Sequence, residues 1–140
     1  MSKHIFISFD DDNDRNYRYL LSALTANNRS AIDFIEVTPS EIESCDVGRI
    51  KAVLTAKIRL ATHTLVIVGA QTNNFHRDWA LIGERNWQCW EIQQSKREGK
   101  KLIAVKIHST NPTPAPLLSA GASWAFSYTE AAILNAINAA

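Results

Sequence analysis

The run Thr64-Leu65-Val66-Ile67-Val68-Gly69 restricts the fold more than any other stretch of the chain. An aliphatic run without alternation has no face to give to water, so it fits a central parallel strand with helices over both sides. Shorter strands and helical stripes alternate around it. His4 to Phe9 reads as a buried strand that stops at the acidic cluster Asp10-Asp11-Asp12-Asn13-Asp14. Asn13 or Asp14 is expected to cap the helix that follows, where Tyr17, Leu20, Leu21 and Leu24 recur at i, i+3, i+4 and i+7. Asn27 to Ser30 breaks that helix, Ile32 to Val37 forms a second strand, and Thr38-Pro39-Ser40 ends it. After a polar loop from Glu41, Asp46 is the expected cap of a helix from Gly48 to Ala61, with an apolar stripe at Ile50, Val53, Leu54 and Ile58. Leu102 to Ile107 is a fourth strand, and the proline-rich segment Asn111 to Pro116 is a loop. Ser123 to Ser127 is a short edge strand, and Thr129 caps a closing helix to Ala139. The order β-α-β-α-β-α-β-loop-β-α predicts a single α/β domain over residues 1–140. Its class is a flavodoxin-like three-layer sandwich with a parallel sheet of about five strands.

Composition removes several functions. A net charge of +1 supplies no basic field for nucleic acid or an anionic membrane. The two cysteines, Cys45 and Cys89, and the scattered His4, His63, His76 and His108 have no metal-ligand spacing, so neither a metal nor a bound cofactor is expected. Free thiols, an N-terminus that reads as a strand and apolar runs far short of a membrane span make a cytoplasmic protein the expectation. No GxGxxG or GxxxxGK[ST] pattern occurs. The acidic cluster with Lys106 has the layout of a phosphoacceptor receiver, but the central strand ends in Val68-Gly69-Ala70 where a receiver needs its aspartate. Ser8, Ser44 and Ser123 have no histidine placed by sequence to activate them, and Cys89, between two tryptophans, reads as a small core residue.

One segment carries chemistry. Trp79 to Gly99, read as one helix, sets Glu84, Trp87 and Glu91 on one face. A carboxylate beside an indole suits a flat, cationic substrate, because the ring face attracts positive charge. The same spacing also describes a solvated helix face with a tryptophan in the core. Ligands of such sheets bind outside the carboxyl ends of the strands. The polar segments Phe9 to Asp14, Thr38 to Asp46 and Gly69 to Asp78 are expected on that rim.

The chain resembles the TIR domain family, and within it the TIR-like subunit of bacterial Thoeris anti-phage systems. Four pieces carry the resemblance: KHIFISFD; SCDVGRIKAVLTAKIRLATHTLVIVG; the Trp87-x-x-x-Glu91-Ile92 spacing; and GKKLIAVKI. Gln88 departs from the family, in which cysteine often follows the motif tryptophan. The resemblance implies an NAD⁺-consuming enzyme, with NAD⁺ as a substrate rather than a cofactor. It would cleave nicotinamide from NAD⁺ and form a cyclic ADP-ribose isomer, a nucleotide signal that reaches a downstream effector. By motif position Glu91 is the catalytic residue and Trp87 the aromatic implicated in cyclisation, whereas Glu84 competes for the acid's role on spacing alone. Phe9, Asp10 and Asp46 are the expected nicotinamide and ribose contacts. Self-association in the active state is expected as well. The alternative is a TIR-like protein-interaction module whose glutamate is structural.

Overall fold

The computed structural model describes residues 3–28, 31–39, 42 and 45–140. Arg29 and Ser30 of the expected break from Asn27 to Ser30, positions 40, 41 and 43, and Ser44 lie outside the described residues. Five parallel strands form one sheet in the order β2-β1-β3-β4-β5: β1 is Lys3–Ser8, β2 Ile32–Ile35, β3 His63–Val68, β4 Lys101–Lys106 and β5 Ser123–Ala125. The aliphatic run is central, with every residue of β3 buried. Alternate strand residues feed two cores. Ile5, Ile7, Leu65, Ile67, Ile103 and Val105 pack under α1 (Asp11–Leu24) and α5 (Glu130–Ala139), which contribute Leu21, Ile133 and Ile137. On the other face Phe6 packs with Ile50, Leu54 and Ile58 of α2 (Val47–Leu60), and Val66, Val68 and Ala104 pack with Ile92 of α4 (Trp87–Arg97). Helices on both faces complete the three-layer α/β sandwich.

Three local expectations change. The cap of α1 is Asp10, whose carboxylate accepts from the Asp12 and Asn13 N–H groups, rather than Asn13 or Asp14. Asp14 instead sits at a kink in the first turns of α1, buried. Leu20, expected on the apolar stripe of α1, is 41 % exposed. The largest change is that Trp79 to Gly99 is not one helix. A single turn, α3 (Trp79–Ile82), ends at Gly83 with φ 85, where a side chain would be strained. A new helix starts at Asn86, whose Oδ1 accepts from the Cys89 N–H at 2.8 Å. Glu84 therefore lies in the connection between two helices and not on a common face with Trp87 and Glu91.

Candidate active site

The strand order reverses its direction of winding between β1 and β3, and the loops leaving those two strands diverge there. A cleft of about 510 Å³ opens at this point. One wall is Phe9 to Asn13 after β1, and the opposite wall is Gln71 and Asn74 to Asp78 after β3. Pro39, Cys45, Val47 and Ile50 close a third side, and Asn86, Trp87 and Gln88 bring in the start of α4. All three polar rim segments expected from the sequence contribute residues.

Asn86 holds this corner together. Besides capping α4, its Nδ2 donates to Thr72 O at 2.7 Å and Asn74 O at 2.8 Å, so the loop after β3 is tied to the helix that carries the motif. The lining after β1 is acidic, with Asp10, Asp11 and Asp12, whereas the loop after β3 carries both signs, with Arg77 3.7 Å from Asp78 and His76 beside them. The Asp78 N–H donates to His76 Nδ1 at 2.9 Å, so the neutral imidazole carries its proton on Nε2.

Trp87 is the first residue of α4 and is part-buried on the cleft, its ring edge-to-face with Trp90 at 5.9 Å. Glu91, one turn on, does not line the cleft: it is 3 % exposed, and Ser8 Oγ donates to its Oε1 at 2.7 Å. Burial pushes its carboxyl up to about 8, against the opposing pull of the Ser8 hydrogen bond. Gln88 stands beside this pair. Its Nε2 donates to Ile67 O at 2.7 Å and Ser8 O at 3.1 Å, which fastens α4 to the carboxyl ends of β3 and β1.

The other expected residues divide. Phe9 is buried on the cleft with the Arg18 guanidinium 5.3 Å from its ring centre. Asp10 lines the cleft while its carboxylate is engaged in capping and with Asn13 Nδ2 at 2.7 Å. Asp46 caps α2, as expected, by accepting from Gly48 and Arg49 N–H, but it is the flanking Cys45 and Val47 that reach the cleft. Glu84 does not line it. Cys89 is buried, its thiol pushed up to about 11 by burial, which suits packing rather than nucleophilic attack. Ser8, Gln88 and His76 were not expected as site residues. Ser8 and Glu91 are 83 positions apart and no local pattern links them, whereas Gln88 was marked by its departure from the family's residue.

No group of three or more potential metal ligands occurs among the described residues, and no helix among them is long and apolar enough to cross a membrane. A close approach beyond the cleft involves Asp14: a Cβ on Gly69 would lie 2.0 Å from its Oδ2, so the residue after β3 is glycine where the buried carboxyl sits. Burial, then the charge of Asp10, push Asp14 up to about 6.

The family described as Thoeris protein ThsB, TIR-like domain, matches residues 6–112. Comparison with curated proteins returns no match. Among solved structures, a 2-deoxyribosyltransferase from the psychrotolerant bacterium Bacillus psychrosaccharolyticus superposes with a TM-score of 0.57 at 13% identity, over 89% of this chain and 87% of that one. A prokaryotic SEFIR domain superposes with a TM-score of 0.51 at 16% identity, over 82% and 81% of the two chains. At these identities the two structures speak for the fold alone.

Proposed function

Because the chain belongs to the TIR-like domain family of the Thoeris protein ThsB, we propose that it is an NAD⁺-consuming enzyme. It breaks the bond between nicotinamide and ribose and closes the remaining ADP-ribose on itself, giving a cyclic signal of anti-phage defence that acts on a downstream effector. The observation that carries this is the position of the Trp87-x-x-x-Glu91 turn: its first residue lines a cleft at the switch point of the sheet, and its glutamate lies directly behind, joined to the end of β1 through Ser8.

The chemistry follows from charge. The nicotinamide ring of NAD⁺ is cationic and leaves neutral, so positive charge moves onto the ribose in an oxocarbenium-like transition state. A carboxylate fixed beside the ribose stabilises that charge. In the resting protein Glu91 favours its protonated form. A cationic ring settling against the cleft reverses this preference, since a nearby positive charge favours the carboxylate. Substrate binding and ionisation of the acid are thereby linked. Trp87 then holds the adenine end folded back, because stacking an adenine on an indole contributes about 1–3 kcal/mol and excludes water. Phe9 and the acidic wall at Asp10 receive the cationic ring. Self-association completes the cleft, which is open on one side in the single chain.

The test is incubation of the purified chain with NAD⁺ and chromatography of the products, alongside Glu91→Gln. Nicotinamide and a cyclic ADP-ribose isomer are expected from the wild type. Loss of one charge-stabilising group costs about 3 kcal/mol of barrier, so the variant should be slower by roughly two to three orders of magnitude. A second reading, a non-catalytic interaction module, is favoured by the near-complete burial of Glu91. No nicotinamide release by the assembled wild type would select it, whereas equal release by both forms would leave an enzyme whose catalytic group is not Glu91.

A further inference from the structure

Gln88 has one end of its amide fixed and the other unpaired. Both partners of Nε2, Ile67 O and Ser8 O, are carbonyls that cannot donate, so they identify the nitrogen end of the side chain and hold it in one orientation. Oε1 is consequently turned away from the strand ends. It is buried, and no described residue donates to it. Yet Gln88, only 4 % exposed, forms part of the cleft wall between Trp87 and the turn that leads to Glu91. A buried acceptor without a donor is a standing cost to a fold, and the exceptions call for an explanation.

We propose that Gln88 Oε1 is the specificity-determining acceptor for the leaving ring, taking a hydrogen bond from the carboxamide N–H of a nicotinamide group seated in the cleft. This rests on the NAD⁺ reading above and adds how the ring is recognised. Gln88 lies three residues before Glu91 and donates to the carbonyl of Ser8, the residue before Phe9, which lines the same cleft and is the proposed wall for the flat ring. An acceptor with no donor of its own selects a carboxamide over a carboxylate or a methyl ketone, which offer only acceptors.

Calorimetric titration of the full chain with NAD⁺, its 3-acetylpyridine analogue and its nicotinic acid analogue tests this. The acetylpyridine ring keeps the carbonyl and replaces NH₂ by CH₃, so the wild type should bind it about tenfold more weakly than NAD⁺, and the acid analogue more weakly still. Gln88→Lys retains N–H donors for Ile67 O and Ser8 O while removing the acceptor. In that variant, its fold checked by thermal melting, NAD⁺ and the acetylpyridine analogue should bind alike. Equal wild-type affinity for the two dinucleotides overturns the assignment while leaving the NAD⁺ reading standing; Oε1 would then be satisfied by water. Wild-type discrimination that persists in folded Gln88→Lys also overturns it, because another group would be reading the amide. If Gln88→Lys does not fold, Gln88→Met, close to glutamine in size and also without the acceptor, makes the same comparison. Binding of none of the three overturns this assignment and the NAD⁺ reading together.

Discussion

At pH 7 a carboxyl titrating at about 8 is mostly protonated, and in the free protein Glu91 is such a group. If Glu91 acts as a carboxylate, kcat/KM for NAD⁺ cleavage should rise with pH and reach half its plateau near about 8, as a free-enzyme titration does. The kcat profile should lie lower, since the bound cation favours ionisation. A flat kcat/KM between pH 6 and 9 would remove Glu91 as the titrating group. Stability moves the opposite way. The folded carboxyl holds its proton above the ordinary value of 4.5, so its contribution is fully present below that value and is lost as pH rises through about 8. Glu91→Gln keeps an acceptor for Ser8 and carries no charge. It should therefore be more stable than the wild type at pH 9, by on the order of a few kcal/mol, with the advantage gone at pH 4. Asp14, raised in the same direction, contributes a similar loss at lower pH in both proteins, and urea melts at several pH values separate the two. Trp87→Ala should retain part of the nicotinamide release while the product shifts from cyclic to linear ADP-ribose; an unchanged product ratio would mean that Trp87 is not the stacking platform.

Among the elements, the break between α3 and α4 matters most, because it decides what faces the cleft. Gly83 ends one helix and Asn86 starts the next, so the tryptophan motif begins at a helix N-terminus rather than in mid-helix. The Asn86 side chain makes three hydrogen bonds, one to its own helix and two to the loop after β3. Asn86→Ala should cost about 1–2 kcal/mol in chemical denaturation, the ordinary loss for an N-cap, and weaken NAD⁺ affinity by loosening the His76 wall. Asn86→Asp keeps the cap and loses the donors. It should recover most of the stability without recovering the affinity, and recovery of both would show that the loop does not depend on Asn86.

For the molecule as a whole, the cleft is bounded by loops at one end of a single sheet and flanked by exposed aromatic surface. Phe75 and Trp79, packed edge-to-face at 5.8 Å, are 62% and 52% exposed, and Leu81 is exposed nearby in sequence. If the proposed self-association uses this surface, a second copy would complete the site from there. Activity per molecule should then rise with protein concentration, and an activity that stays constant over about a hundredfold dilution would oppose assembly as part of the mechanism.

The sequence by itself determined the layers, because a central run with no polar alternation needs helices on both sides, and the segments after β1 and β2 each showed an apolar stripe at helical spacing. It also determined which rim the polar loops share, since parallel strands send all their following loops to one end. Local signals were less secure where two rules competed. In the acidic cluster every residue is a competent cap, and only the path of the chain out of β1 selects Asp10 and buries Asp14. In Trp79 to Gly99 the helical spacing of Glu84, Trp87 and Glu91 masked the stop and start signals at Gly83 and Asn86. What only the tertiary structure decided is the surroundings of Glu91. Its burial, its partner Ser8 on another element and the two carbonyls that orient Gln88 are contacts between residues distant in the chain, and a pKa depends on such surroundings rather than on the residue's neighbours in sequence.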